Sequence, residues 1–182
     1  HNTGKLPIDT KWVDTNKGTT KDPEVCSRLV ARDFKPKGDK DRSDLFASMP
    51  PLEAKKMLFR MAAGQPREWR GGRWARQKLM FIDVKKAHLN GVPEEGEFAY
   101  VVMPGNRPGM CSRLNRWLYG MRNATSSWEK DFTEKLRELG MRARISSSVV
   151  FCDAARQVRC VVHGDDFTFL GWGEDFLRIK EG

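Results

Sequence analysis

The 182-residue sequence has little of what would build a metal centre from nitrogen and sulfur ligands. Its four cysteines are scattered with no C-x-x-C pair, and its three histidines are too few and too widely spaced to form a ligand cluster by themselves. This argues against zinc and favours free thiols in a reducing compartment. No apolar stretch approaches the roughly 18 residues of a membrane span, and no secretion signal is visible. We therefore expect an intracellular protein without a membrane partner.

Acidic residues are outnumbered by basic ones. The chain has 33 Lys and Arg against 24 Asp and Glu, which gives a net charge of +9 at pH 7 and a pI near 9.6. An excess of this size favours a polyanionic partner such as nucleic acid, although a soluble basic protein would have the same balance.

Because the chain begins at His1 instead of Met and stops at Gly182 within a pattern, we expect the native chain to extend beyond both ends.

Apolar periodicity predicts an α+β fold. Apolar side chains recur every three to four positions from Trp128 to Leu139, which predicts a helix over 126–139 with Ser126 as its N-cap and Gly140 just beyond its end. Other segments are predicted as a strand around 11–13, a strand over 25–34, a helix over 52–63, a strand over 145–152 and a strand that ends at 163. The order of these elements favours an antiparallel sheet packed on helices.

Three carboxylates stand at the ends of apolar runs. The apolar run 79–84 contains Asp83 near its end, and residues 160–170 form two apolar runs joined at Asp165 and Asp166. Strands that hold three carboxylates suit a two-metal phosphoryl-transfer site, because Mg²⁺ binds carboxylate oxygens and leaves positions open for substrate phosphates. The pattern predicts a polymerase palm with the aspartate pair on a β-hairpin. The alternative is structural, since aspartate is common at strand ends and Gly-Asp-Asp suits a tight turn.

The segment 66–78 interleaves basic and aromatic side chains. These residues are Arg67, Trp69, Arg70, Arg73, Trp74, Arg76 and Lys78. A basic stretch with aromatic residues can follow a phosphate backbone and stack a base. A solvated loop with two tucked tryptophans is the alternative interpretation.

Five segments follow one another in the order of a known family's motifs. Residues 27–32 read S-R-L-V-A-R, residues 83–91 read D-V-K-K-A-H-L-N-G, and residues 111–121 contain C-S-R-L and L-Y-G-M. Trp128 follows, and residues 162–171 contain the aspartate pair and end at Gly171. Together they resemble the A-R-L-V-A-R, D-V-K-x-A-F-L-N-G, C-x-L-x-x-x-L-Y-G-L and Y-V-D-D-x-x-x-x-G elements of copia-type (Ty1/copia) retrotransposon reverse transcriptases.

This resemblance implies an RNA-directed DNA polymerase that works by two-metal nucleotidyl transfer. Asp83 would bridge two Mg²⁺ ions, with Mn²⁺ as the alternative metal, and Asp165 would be its main partner. Asp166 would complete the catalytic triad, and Val84 would lie in the metal site beside Asp83. One ion would lower the pKa of the primer 3′-hydroxyl, and the other would neutralise charge on the departing pyrophosphate.

The resemblance also implies partners and further site residues. The partners would be an RNA template, a DNA primer, dNTPs and the rest of a Pol polyprotein, in the cytoplasm, a virus-like particle or the nucleus. The nucleotide-binding residues would be Arg28, Arg32, Lys85, His88 and Asn123. The residues nearest the primer terminus would be His163 and Gly164. The basic residues and tryptophans of segment 66–78 would add nucleic-acid contacts.

Several positions depart from the family pattern. His88 stands where the family has Phe, the expected steric gate against a 2′-hydroxyl, and Asn123 stands for the usual Gln. His163 replaces the hairpin Tyr, and Gly164 replaces an apolar residue. The chain also ends before a primer grip or thumb would form. These departures indicate either a diverged element or a decaying genomic copy. The three carboxylates are intact in either case.

The expected lobes are a fingers-like region with part of the palm over 1–78 and a palm-like region over 79–182.

Two other functions stay open. One is a viral-type RNA-dependent RNA polymerase palm, because Gly-Asp-Asp is also that family's hairpin motif, although the L-N-G and L-Y-G elements favour the copia type. The other is a catalytically silent nucleic-acid-binding remnant that has kept its basic surface.

Overall fold

The computed structural model describes residues 6–33, 48–93 and 97–181. Their helices are α1 (Leu52–Gly64), α2 (Arg122–Glu138) and α3 (Gly173–Glu181). Their strands are β1 (Ile8–Asn16), β2 (Val25–Ala31), β3 (Glu68–Arg70), β4 (Arg73–Ala75), β5 (Lys78–Asp83), β6 (Tyr100–Val102), β7 (Ser112–Arg113), β8 (Arg142–Arg144), β9 (Ser147–Asp153), β10 (Val158–His163) and β11 (Asp166–Gly171). A 3-10 turn covers Ala87–Leu89. The predicted mixture of helices and sheets is confirmed.

The described residues form two compact units, each made of two separate stretches of chain. The first unit combines the described residues of His1–Phe46 with those of Ala87–Trp128. The second unit combines the described residues of Ala47–Lys86 with those of Glu129–Gly182. The division into a fingers-like and a palm-like region concerns function and stays a prediction.

The second unit is built on a five-stranded antiparallel sheet with the strand order β5-β11-β10-β9-β8. On one face, Leu58 of α1 packs with Val161 and Leu170. On the other face, the ring of Phe132 of α2 lies edge-on to that of Phe151, with centroids 6.2 Å apart. Because β10 and β11 are covered on both faces, they are apolar along most of their length instead of alternating.

The first unit contains a four-stranded sheet with the strand order β2-β1-β6-β7. Strands β1 and β6 run parallel, and the other neighbours are antiparallel. The buried residues of its core are Ala31, Ala99, Trp117, Met121 and Ala124. These residues come from β2, from the segment before β6, from the segment that leads into α2 and from the first turn of α2, so the core holds the two stretches of this unit together.

Gly120, the glycine of the L-Y-G element, fits closely against the end of β2. Its φ is +82°, and a Cβ built on it would lie 2.3 Å from the carbonyl oxygen of Ala31. The Ala31 amide also donates a hydrogen bond to the Tyr119 carbonyl at 2.7 Å. Only glycine combines this backbone conformation with so close an approach.

Gly120→Ala is therefore expected to destabilise the protein by about 2 kcal/mol or more, because left-handed strain and a backbone clash add together. The measurement is the urea midpoint of unfolding. Gly105→Ala is the matched control, since Gly105 has a similar φ of +86° but open space where its Cβ would lie. Equal losses in the two variants would contradict the role of the clash.

Helix α2 begins four residues earlier than predicted, so Ser126 is not its N-cap. The first helical residue is Arg122, whose amide donates to the Asp33 carboxylate at 3.0 Å. The Ser126 hydroxyl instead donates to the Asn123 carbonyl at 3.2 Å, within the helix. A side chain from a distant segment stands near the amides at the helix start, and the local capping box therefore did not decide where the helix begins.

The C-terminal prediction for the same helix is confirmed. Gly140 has a φ of +83°. Its amide donates to the Arg137 carbonyl, and the Met141 amide donates to the Leu136 carbonyl. This pair of bonds is the Schellman arrangement, in which a left-handed glycine ends a helix and satisfies its last carbonyls.

Two predicted strands have different ends in the structure. The strand predicted over 25–34 ends at Ala31, and Phe34 lies outside the described residues. The strand predicted over 145–152 begins at Ser147. Ile145 is β-prone by composition but is fully exposed between β8 and β9, where the chain reverses direction.

Asp153, at the end of β9, is a buried carboxylate with close cationic neighbours. Its Oδ2 accepts from Nη1 of Arg156 at 2.9 Å, and its Oδ1 accepts from the Arg156 amide at 3.1 Å. Burial alone would raise the pKa of Asp153, but these bonds and the charge of Arg156 outweigh it and hold the pKa below its usual value.

A carboxyl with a lowered pKa stabilises the fold above its unfolded-state pKa, and this stabilisation is lost as the pH falls through the folded-state pKa. Asp153→Asn should therefore unfold at lower urea than the parent at pH 7. The gap between the two midpoints should narrow below about pH 4. A gap that stays constant down to about pH 2 would contradict this role for the charge.

Candidate metal centre

Three aspartates meet at one end of the five-stranded sheet. Asp83 is the last residue of β5, and Asp166 is the first residue of β11 and lies directly opposite Asp83 in the antiparallel register. Asp165 precedes Asp166 in the turn between β10 and β11, and its carbonyl accepts a hydrogen bond from the Val84 amide at 3.0 Å. Strand pairing and this bond therefore hold the three side chains at a common edge.

Gly164 sets the shape of the turn that carries Asp165. Strands β10 and β11 pair up to His163 and Asp166, which leaves Gly164 and Asp165 as a two-residue loop. The φ of Gly164 is +66°, and its position is the first central position of the turn, where glycine is favoured in two-residue hairpins. The conformation of the turn gives a physical reason for glycine where the family has an apolar residue.

One carboxylate oxygen from each of Asp83, Asp165 and Asp166 lies within 4.8 Å of the others. All three side chains are exposed, so they repel one another across solvent and are open to a ligand. The donor set is entirely oxygen, and hard divalent cations such as Mg²⁺ and Mn²⁺ prefer carboxylate and water oxygens. The residues therefore fit a divalent metal ion in donor type, donor number and access.

Lys85 and His163 lie beside these carboxylates in sequence. Lys85 is exposed two residues after Asp83. His163 is half-buried at the end of β10, in register with Asp166. Both therefore belong to the same edge of the second unit as the acidic cluster.

The other predicted nucleotide-binding residues belong to the first unit. Arg28 is exposed on β2, and Nη1 of Arg32 forms an ion pair with Asp9 at 2.9 Å. The amide of Asn123 donates to Oε1 of Glu97 at 2.6 Å, so part of its hydrogen-bonding capacity is already used. Contact of any of these residues with a nucleotide stays a prediction.

His88 lies in the 3-10 turn and is half-buried. Its ring is edge-on to that of Tyr119 of the L-Y-G element, with centroids 6.0 Å apart. Its Nδ1 is buried without a hydrogen-bond partner among the described residues. The ring that replaces the family Phe therefore keeps an aromatic contact but adds a buried polar atom. Contact of His88 with an incoming nucleotide stays a prediction.

The basic segment 66–78 forms a hairpin instead of a loop. Strands β3 and β4 place Trp69 directly opposite Trp74, and both side chains are exposed, by 62% and 63%. The alternative of two tucked tryptophans is therefore wrong. The sequence signal that would have predicted the hairpin is Gly71-Gly72, whose φ angles of +55° and +79° suit a two-residue turn.

Sequence reasoning also missed Trp172. This residue follows β11, is 2% exposed, and lies 4.3 Å from the guanidinium carbon of Arg70, measured to the ring centroid. No motif or spacing distinguishes it, because the contact depends on how the hairpin folds back.

In the part of the chain that the structure describes, no helix is long and apolar enough to cross a membrane.

Comparisons with known proteins agree with these features. A family described as "Reverse transcriptase (RNA-dependent DNA polymerase)" matches residues 2–180. The Retrovirus-related Pol polyprotein from transposon TNT 1-94 of Nicotiana tabacum is 28% identical over an alignment of 189 residues. That alignment covers 98% of this chain and 13% of the polyprotein. No solved structure matches the chain.

The chain belongs to the reverse transcriptase family, and the copia-type resemblance predicted from its motifs is confirmed. Because it spans only 13% of the polyprotein, its own activity, substrates and partners remain proposals.

Proposed function

We propose that this chain is an RNA-directed DNA polymerase whose site is the cluster of Asp83, Asp165 and Asp166. The observation that carries the proposal is the β5–β11 register, which sets Asp83 opposite Asp166 with Asp165 one residue away. The family match supports the reaction class, and the oxygen-only cluster supports a divalent metal.

The three aspartates would hold two divalent ions, Mg²⁺ or Mn²⁺, with Asp83 shared between them. When bound, such ions activate the primer 3′-hydroxyl and neutralise charge on the leaving pyrophosphate. Asp165 would be the main partner of Asp83, Asp166 would support both, and Val84 would contribute its main chain. Strand pairing fixes the backbone of Asp83 and Asp166, so the carboxylates need little reorganisation to receive a cation.

The remaining predicted residues would position substrates. Lys85 would meet the negative charge of a triphosphate near the carboxylates, and His163 and Gly164 would lie near the primer terminus. In the first unit, Arg28, Arg32, His88 and Asn123 would contact the incoming nucleotide. The substrates would be an RNA template, a DNA primer and dNTPs, and the chain would act as part of a Pol polyprotein.

The test is extension of a labelled DNA primer on an RNA template, with dNTPs or rNTPs, in Mg²⁺ or in EDTA. Metal-dependent incorporation of dNTPs is the expected result. Preference for rNTPs would favour an RNA polymerase. Binding of template–primer without any incorporation, unchanged in Asp165→Ala, would overturn the proposal and favour a silent nucleic-acid-binding remnant.

A further inference from the structure

A basic surface lies at the opposite end of the sheet from the aspartates. Strand β5 runs from Lys78 to Asp83, and β11 returns antiparallel from Asp166 to Gly171, which is paired with Lys78. Five residue steps along a strand span roughly 17 Å. Residues beside Lys78 and Gly171 are therefore well separated from the carboxylates, although both sites belong to the second unit.

A cavity of about 350 Å³ opens between the β3–β4 hairpin and the start of α3. Its lining contains five basic side chains and one acidic side chain, which are Arg67, Arg70, Arg73, Arg76, Lys78 and Glu174. A concave surface with this excess of cations concentrates positive potential and selects for an anion.

Two buried donors in the cavity wall have no acceptor among the described residues. They are Nη1 of Arg70 and the indole Nε1 of Trp172. Glu174 lies 3.9 Å from Nη1 of Arg70, which is an ion pair but too long for a hydrogen bond. Both atoms are closed to solvent, so a bound anion would meet the exposed basic side chains of the lining, Arg67, Arg73, Arg76 and Lys78.

The rim of the same hairpin carries an aromatic pair. The rings of Trp69 and Trp74 lie edge to face, with centroids 5.7 Å apart. Trp74 also lines the cavity, so an exposed aromatic ring and the cationic wall adjoin. Exposed tryptophans beside phosphate-binding cations are the combination with which proteins hold single strands, because an unpaired base can stack on an aromatic ring.

We propose that the cavity and the tryptophan pair bind single-stranded nucleic acid, with a phosphate in the cavity and bases stacked on both Trp69 and Trp74. This site neither uses the carboxylates nor requires polymerase activity. The occupant is a single strand, because in a duplex the faces of the bases are stacked on one another and closed to tryptophan.

The experiment measures binding of a fluorescent 12-nucleotide oligouridylate by anisotropy, in EDTA, over a series of salt concentrations. Trp74→Ala and Trp69→Ala should each weaken binding about fivefold or more, and Trp74→Phe should retain most of the affinity. Arg73→Ala should lower the slope of log affinity against log salt by about one. Both tryptophans and Arg73 are exposed, so these variants should fold, which circular dichroism checks.

Arg137→Ala is the matched charge control, because Arg137 is exposed on α2, away from the cavity lining, and alanine favours the helix. It should bind like the parent. The proposal is overturned if the oligouridylate does not bind, if the tryptophan variants bind like the parent, or if Arg137→Ala lowers the salt slope as much as Arg73→Ala. Asp83→Asn should leave this binding unchanged, which separates failure of this site from failure of the polymerase.

Discussion

Replacing Asp83 with asparagine should lower Mg²⁺-dependent dNTP incorporation by at least about a hundredfold. Asparagine keeps the size of the side chain but removes the charge that two cations would share, and metal stabilisation of the transition state contributes several kcal/mol. A hundredfold loss corresponds to about 2.7 kcal/mol of barrier. The measurement is the single-turnover rate at saturating template–primer, which separates chemistry from binding.

Asp14→Asn is the matched control for this variant, because Asp14 is an exposed aspartate on β1 in the first unit. It should leave the rate within about twofold, as expected for a surface substitution. If Asp83→Asn retained the parent rate while folding and binding normally, Asp83 would have no catalytic role. The triad would then be inherited from the family without a present function.

Phe151→Ala should destabilise the protein by about 3–5 kcal/mol. Phe151 is fully buried in β9 and packs edge-on against Phe132 of α2, so truncation leaves a cavity between the sheet and the helix. Because whole domains are stable by only about 5–15 kcal/mol, this is a large fraction of the total. The measurement is the free energy of unfolding in urea.

The control for this loss is Leu177→Ala, since Leu177 is 64% exposed on α3. This change should alter stability by about 0.5 kcal/mol or less. Similar losses for the two variants would mean that Phe151 is not packed as described, and that α2 does not cover this face of the sheet.

Helix and strand positions were predictable wherever one local signal dominated. The end of α2 follows from Gly140, whose left-handed φ suits glycine, and the start of α1 follows from the prolines that precede Leu52. The start of α2 could not be predicted, because Asp33, far away in sequence, accepts a hydrogen bond from its first amide.

The convergence of the carboxylates was predictable only through the family motifs. Apolar runs show that Asp83 and the Asp165–Asp166 pair end or begin strands, but no local pattern states that β5 pairs with β11. The cavity beside Trp172 was not predictable at all, because it forms from tertiary contacts of the β3–β4 hairpin with the start of α3. The hairpin itself could have been predicted from Gly71-Gly72.

The central claim is that the three aspartates bind divalent metal, and iron-dependent cleavage tests it most directly. Fe²⁺ that replaces Mg²⁺ generates radicals with ascorbate and peroxide and cuts the chain beside the site. Fragments ending near Asp83 and near Asp165, suppressed by excess Mg²⁺ and absent from an Asp83→Asn/Asp165→Asn variant, are the predicted result. No cutting at either position, or the same cutting in the double variant, would contradict a metal site at this edge of the sheet.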